Sequence, residues 1–123
     1  MKFSEISNKV IGCAIEVHRE LGPGLLESTY EHCLGHEFRL QGIRYKSQHP
    51  LPVEYKGTRL ECGYRADVLV EDEIILELKC VDFLKEIHQA QLLTYMKLAD
   101  IKQGFLINWN VRRLVDGLES FVL

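Results

Sequence analysis

Two carboxylates and an ammonium, Asp67, Glu77 and Lys79, stand in the run Arg65-Ala66-Asp67-Val68-Leu69-Val70-Glu71-Asp72-Glu73-Ile74-Ile75-Leu76-Glu77-Leu78-Lys79. Two alternating apolar stretches joined by an acidic tripeptide predict a β-hairpin. With Glu71 to Glu73 as the loop, Val70 faces Ile74, Val68 faces Leu76, and Asp67 lies opposite Glu77, with Lys79 two residues further on. Cross-strand neighbours have Cβ atoms roughly 4.5–5.5 Å apart, and like charges so placed are destabilising. A bound cation, a shared proton or a nearby base such as Lys79 has to offset that repulsion. A divalent metal does so most completely.

A two-residue turn at Asp72-Glu73 would shift the pairing by one and set the carboxylates diagonally. The apolar pattern favours the first register, because it gathers Val68, Val70, Ile74, Leu76 and Leu78 on one face and leaves Asp67, Glu77 and Lys79 on the other.

The elements that position these residues follow from periodicity. Ile6, Val10, Cys13, Ala14, Val17 and Leu21 recur at helical spacing over the first twenty residues, and Leu21-Gly22-Pro23-Gly24 ends that helix. A second helix is predicted from about Leu25 to Gln41, with Gly42 just past its C-cap and Glu27 in its first turn. From Ile43 to Lys79 the period changes to two, and Pro50, Pro52 and the Lys56-Gly57 turn cut the segment into short strands of an antiparallel meander. Asp82 is the expected N-cap of a third helix, Phe83 to Ala99, with a stripe of Phe83, Leu84, Ile87, Gln91, Tyr95 and Met96. Phe105 to Asn108 reads as a buried strand, and Leu118 to Leu123 as a closing edge.

At 123 residues the expectation is a single domain over 1–123. No stretch approaches the length of a membrane span, and Met1-Lys2-Phe3-Ser4-Glu5 lacks the apolar block of a signal peptide, so the expected location is cytoplasmic. Cys13, Cys33, Cys62 and Cys80 form no CxxC pair, which removes spacing support for zinc or iron–sulfur sites and suggests buried free thiols. A net charge of −3 gives no global attraction for nucleic acid. Binding to it needs a local patch, for which Arg59, Arg65, Lys85, Lys97, Arg112 and Arg113 are candidates.

Asp67, nine intervening residues and Glu77-x-Lys79, in a helix-strand-strand-strand-helix-strand order, resemble the PD-(D/E)XK nuclease superfamily. More closely, the chain is similar to the small GxxExxY family within it. That family's motif stands here as Gly24-Leu25-Leu26-Glu27-Ser28-Thr29-Tyr30, preceded by His18-Arg19-Glu20-Leu21-Gly22-Pro23. Gln91-Leu92-Leu93-Thr94-Tyr95 resembles the QxxxY element of RecB-type nucleases. The superfamily's proline before the first aspartate is absent, with Ala66 in its place. The resemblance implies an α/β, restriction endonuclease-like core: a mixed sheet with an antiparallel meander, flanked by helices.

It also implies a function, a metal-dependent phosphodiesterase cutting DNA or RNA through a metal-activated water. Asp67 and Glu77 are hard oxygen ligands suited to magnesium or manganese, and the backbone carbonyl of Leu78 is a further expected ligand. Lys79 orients the attacking water or neutralises charge on the phosphate. Glu27, where the helix macrodipole favours negative charge, holds a metal-bound water. Gln91 hydrogen-bonds Lys79 or a nucleotide, and Tyr95 positions phosphate or stacks on a base.

Simpler readings stand beside these. The charged trio could be a surface salt-bridge cluster, Glu27 a helix-dipole residue, Tyr30 a core residue, and Gln91 with Tyr95 a buried polar network. His32 and His36 lie four apart on a helix but lack a third zinc ligand. His18 and His88 flank motifs and are otherwise capping or solvated histidines. Trp109 is read as packing against the core. The rival function is a catalytically weak or inactive binding module for nucleic acid or protein on the same fold, since a small acidic domain has little surface to grip a duplex. A phosphatase acting on small molecules has no supporting motif. A homodimer would supply the two cuts that duplex cleavage requires.

Overall fold

The computed structural model describes residues 4–123. The first three positions of the expected first helix lie outside the described residues. Ser4 opens α1 (Glu5–Leu21), its hydroxyl accepting the Ser7 N–H at 3.1 Å. Gly22, at φ +68°, closes the helix by donating its N–H to the His18 carbonyl, a backbone state that residues with a Cβ avoid. Helix α2 (Glu27–Leu40) starts at Glu27 and buries Tyr30, Leu34 and Phe38 one turn apart.

Strands β1 (Tyr45–Pro50), β4 (Arg65–Val70), β5 (Ile74–Lys79), β6 (Gln103–Asn108) and β7 (Leu118–Val122) form one mixed sheet in the order β1-β4-β5-β6-β7. Its pairs are antiparallel except β5 with β6, which run parallel and are joined by the crossover helix α3 (Glu86–Ala99). The β4–β5 hairpin takes the register expected from its apolar pattern, Val70 opposite Ile74 and Val68 opposite Leu76, around a Glu71–Glu73 loop. The meander is interrupted, however. After Pro50 the chain leaves the sheet to build a separate hairpin, β2 (Val53–Tyr55) with β3 (Thr58–Leu60), and β1 pairs with β4 instead. Pro50 and Pro52 have no N–H to continue a ladder. Lys56 and Gly57, both at positive φ, make the tight turn between β2 and β3.

Helices cover both faces of the sheet, whereas the sequence suggested one apolar face and one polar face. Val68, Val70, Ile74, Leu76 and Leu78 pack with α1 and α2, while Leu69 and Ile75 pack on Leu92 and Met96 of α3. Close contact of α3 with the sheet depends on Gly104, where a Cβ would stand 2.8 Å from Met96 Sδ and 3.3 Å from the Ile75 carbonyl oxygen.

Helix α3 also begins three residues later than expected. The N–H of Lys85 is satisfied by His88 Nδ1 at 3.0 Å, so Lys85 and not Asp82 is the N-cap. The expected stripe is therefore wrong at its start: Phe83 and Ile87 are 77% and 69% exposed. Of the four cysteines, all free, Cys13 is buried, Cys33 and Cys80 are half-buried, and Cys62 is exposed. Among the described residues no helix is long and apolar enough to cross a membrane.

Candidate active site

Strand β5 is buried from Ile74 to Leu78, and Glu77 stands in the middle of that apolar run at 3% exposure. A buried carboxyl needs partners. Its first is Asp67 across the hairpin, whose backbone N–H donates to Glu77 Oε1 at 3.3 Å; in return Asp67 Oδ2 accepts the Leu78 N–H at 2.8 Å. Beyond the Val68–Leu76 pair, each strand's backbone is thus held by the other strand's carboxylate. Each acid has a second oxygen outside these two bonds.

Burial first, and the negative charge of Asp67 second, push the Glu77 carboxyl up to about 8. The Asp67 N–H and the Lys79 charge pull it the other way. Asp67 is likewise raised by burial, against the Leu78 N–H, Lys79 and the Gln48 side chain. Lys79 therefore acts electrostatically on both carboxylates, and its Nζ donates to Gln91 Oε1 at 3.2 Å. Gln91 Nε2 in turn donates to the Tyr95 hydroxyl at 2.9 Å. Gln91 and Tyr95 share one side of α3, so the helix presents a two-step relay of hydrogen bonds to the end of β5.

The α2 side of the site is acidic. Glu27 is exposed, and its charge raises Glu77 and Cys80. Two residues passed over by the sequence reading join it. Glu31, one turn after Glu27, is raised by burial and by the charges of Asp67 and Glu27, and it accepts Gln48 Nε2 at 2.8 Å. Gln48, at φ +53°, sits in β1 between the Ser47–Val68 and His49–Ala66 pairs, beside Asp67. The i, i+4 spacing of Glu27 and Glu31 was a signal available in the sequence. Gln48 had none, because its place depends on the β1–β4 register.

Tyr30 explains how the loop before α2 is held. Its hydroxyl donates to the Gly22 carbonyl at 2.5 Å and accepts the Leu25 N–H at 3.2 Å, which anchors the approach to Glu27. Its ring stacks on buried Trp109, and the backbone N–H of Trp109 donates to the Lys79 carbonyl at 2.9 Å. His18 is buried and bonds the Val111 carbonyl at 2.9 Å and that of Trp109 at 3.2 Å; it is structural, as are Tyr30 and Trp109. His88 caps α3. His32 and His36 are exposed.

The profile of the PD-(D/E)XK nuclease superfamily matches residues 4–120 of the chain. The chain belongs to that superfamily. No match was found among curated proteins. The mixed five-stranded sheet flanked by helices is a PD-(D/E)XK nuclease-like fold. Nucleases of the superfamily generally use divalent metals, and the paired oxygen donors of Asp67 and Glu77 are of the type that magnesium and manganese take. Among the described residues no three His, Cys, Asp or Glu side chains form a ready cage for a metal. That donor set fits a hard cation completed by water and substrate phosphate, the usual habit of magnesium. The candidate basic residues are dispersed: Arg59 pairs with Glu61, and Arg65 reaches the site's margin by donating to the Gln48 carbonyl at 3.1 Å.

Proposed function

We propose that this PD-(D/E)XK protein is a magnesium- or manganese-dependent phosphodiesterase acting on DNA or RNA. The observation that carries this reading is the reciprocal pair Asp67 and Glu77, two carboxylates forced together in a largely buried setting beside Lys79. A buried carboxyl pair is costly without a counter-ion, and a divalent cation also supplies the chemistry of the reaction by acidifying water and neutralising phosphate charge.

In this reading Asp67, Glu77 and the Leu78 carbonyl hold the cation, and Glu27 holds a water beside it. Lys79 bonds the attacking water or the phosphate oxygens, where its positive charge meets the negative charge that grows in the transition state. Gln91 fixes the Lys79 ammonium, and Tyr95 fixes Gln91. The Gly24-to-Tyr30 segment supports placement in the GxxExxY family, because Tyr30 clamps the loop that leads into Glu27.

The test is cleavage of mixed single- and double-stranded DNA and RNA with added magnesium or manganese, comparing wild type with Glu77→Ala. Metal-dependent cleavage by wild type alone is the expected result. Equal, background-level cleavage by both proteins would replace the enzyme with the binding-module reading.

A further inference from the structure

Between the β2–β3 hairpin and α3 lies a cleft of about 390 Å³, walled by Val53, Tyr64, Ile87, Gln91, Tyr95 and Leu98. None of the described residues lining it is charged, unlike the acidic site beside it. Its aromatic wall is fixed in place. The Tyr64 carbonyl accepts the Leu51 N–H at 2.8 Å, and the Tyr64 ring stands 6.1 Å from that of Tyr95, inclined at 55°. Tyr95 is 8% exposed and lies deepest in the lining, while Tyr64 is 48% exposed and is the more accessible of the two aromatic residues.

The cleft is joined to the site by one side chain. Gln91 lines it and also bonds Lys79 Nζ, so a group in the cleft and a phosphate at Lys79 contact the same residue. The chemistry suited to an uncharged, aromatic-walled slot next to a phosphate site is a nucleobase. A base in a duplex is stacked and paired, and only an unpaired one can enter. We propose that this cleft binds an unpaired nucleobase next to the phosphodiester held at Lys79, and that the substrate is single-stranded nucleic acid. The inference rests on the nuclease reading above. Tyr64 supplies the stacking face, Tyr95 the floor, and the amide of Gln91 a polar edge.

The test measures anisotropy of short fluorescent dT and rU oligonucleotides, their duplexes, and an abasic dT analogue, with magnesium present. It is made in the Glu77→Gln background, where the proposed function expects no cleavage. Single strands should bind about 10-fold more tightly than duplexes, and Tyr64→Ala should weaken single-strand binding roughly 5- to 50-fold, as loss of one base stack does. Tyr64→Phe should retain binding, and the abasic analogue should bind as weakly as dT binds Tyr64→Ala. The dT and rU arms decide between DNA and RNA. Absent binding, equal binding by Tyr64→Ala, no penalty for the abasic analogue, or preference for duplex would each overturn the inference. Cleavage by the protein with native Glu77 is scored separately. Cleavage without Tyr64-dependent binding removes the cleft proposal alone, and Tyr64-dependent binding without cleavage removes the nuclease reading alone.

Discussion

Tyr30 lies flat against Trp109, ring centroids 4.7 Å apart and planes within 2° of parallel. The Tyr30 hydroxyl holds the Gly22–Leu25 loop on one side of this stack, and on the other the backbone N–H of Trp109 donates to the Lys79 carbonyl where the β5–β6 pairing ends. The helix that begins at Glu27 and the strand that ends at Lys79 are thereby set relative to each other by an aromatic pair in the core.

Tyr30→Phe keeps the ring and deletes both hydroxyl bonds. It should lower stability by about 1–2 kcal/mol, read as a lower melting temperature. Faster hydrogen exchange at the Leu25 amide, with the core strands unaffected, would locate the loss in the loop. An unchanged Leu25 exchange rate would show that the loop is held by something else.

Glu77 makes metal-free stability depend on pH. Its folded value of about 8 lies above the ordinary 4.5, so its contribution is fully present below 4.5 and is lost as pH rises through 8. Glu77→Gln removes that loss. Without metal, the variant and wild type should melt together near pH 5, and the variant should melt roughly 5–10 °C higher at pH 9. Added magnesium should raise the melting temperature of wild type and leave the variant unchanged. Equal magnesium shifts in both proteins would place the cation elsewhere.

Lys79→Ala should abolish cleavage while leaving metal affinity, measured by manganese calorimetry, close to that of wild type. An ammonium cannot coordinate a cation and acts only on water or on phosphate charge. Gln91→Ala should give a partial loss expressed mainly in kcat, because Lys79 then loses its hydrogen-bond partner but keeps its charge. Full activity in Gln91→Ala would show that this bond does not position Lys79.

Gly104→Ala should destabilise the protein by about 1–3 kcal/mol, since the new methyl meets Met96 Sδ and the Ile75 carbonyl at less than ordinary contact distance. Pairing it with Met96→Ala should recover part of the loss, measurable by denaturant titration. Strictly additive losses would place the strain in the backbone of β5.

The hairpin register was legible in the sequence because alternation of apolar residues around an acidic loop leaves one pairing that keeps Val68, Val70, Ile74 and Leu76 together. The side-by-side placement of Asp67 and Glu77 follows from that register. The start of α3 was not legible. Asp82 has the chemistry of a cap, but His88 reaches back to Lys85 and begins the helix there, leaving Phe83 outside it. Long-range pairing was also hidden: nothing local in β1 says that it skips the next hairpin to join β4, and Gln48 and Glu31 enter the site only through that pairing. Covering both sheet faces also changes the meaning of Glu77. On an open sheet it would be a solvated acid; under α3 it is a buried one.

Strand β1 is one outer boundary of the sheet, and such a boundary can recruit a strand from another molecule. Its middle residue, Gln48, is in the left-handed conformation, and its last, Pro50, lacks an N–H. A second chain could not lay a continuous ladder along it. The kink that sets Gln48 beside Asp67 therefore also guards the protein against self-association through this edge. A Gln48→Val, Pro50→Val double variant should aggregate at concentrations where wild type stays dispersed in light scattering.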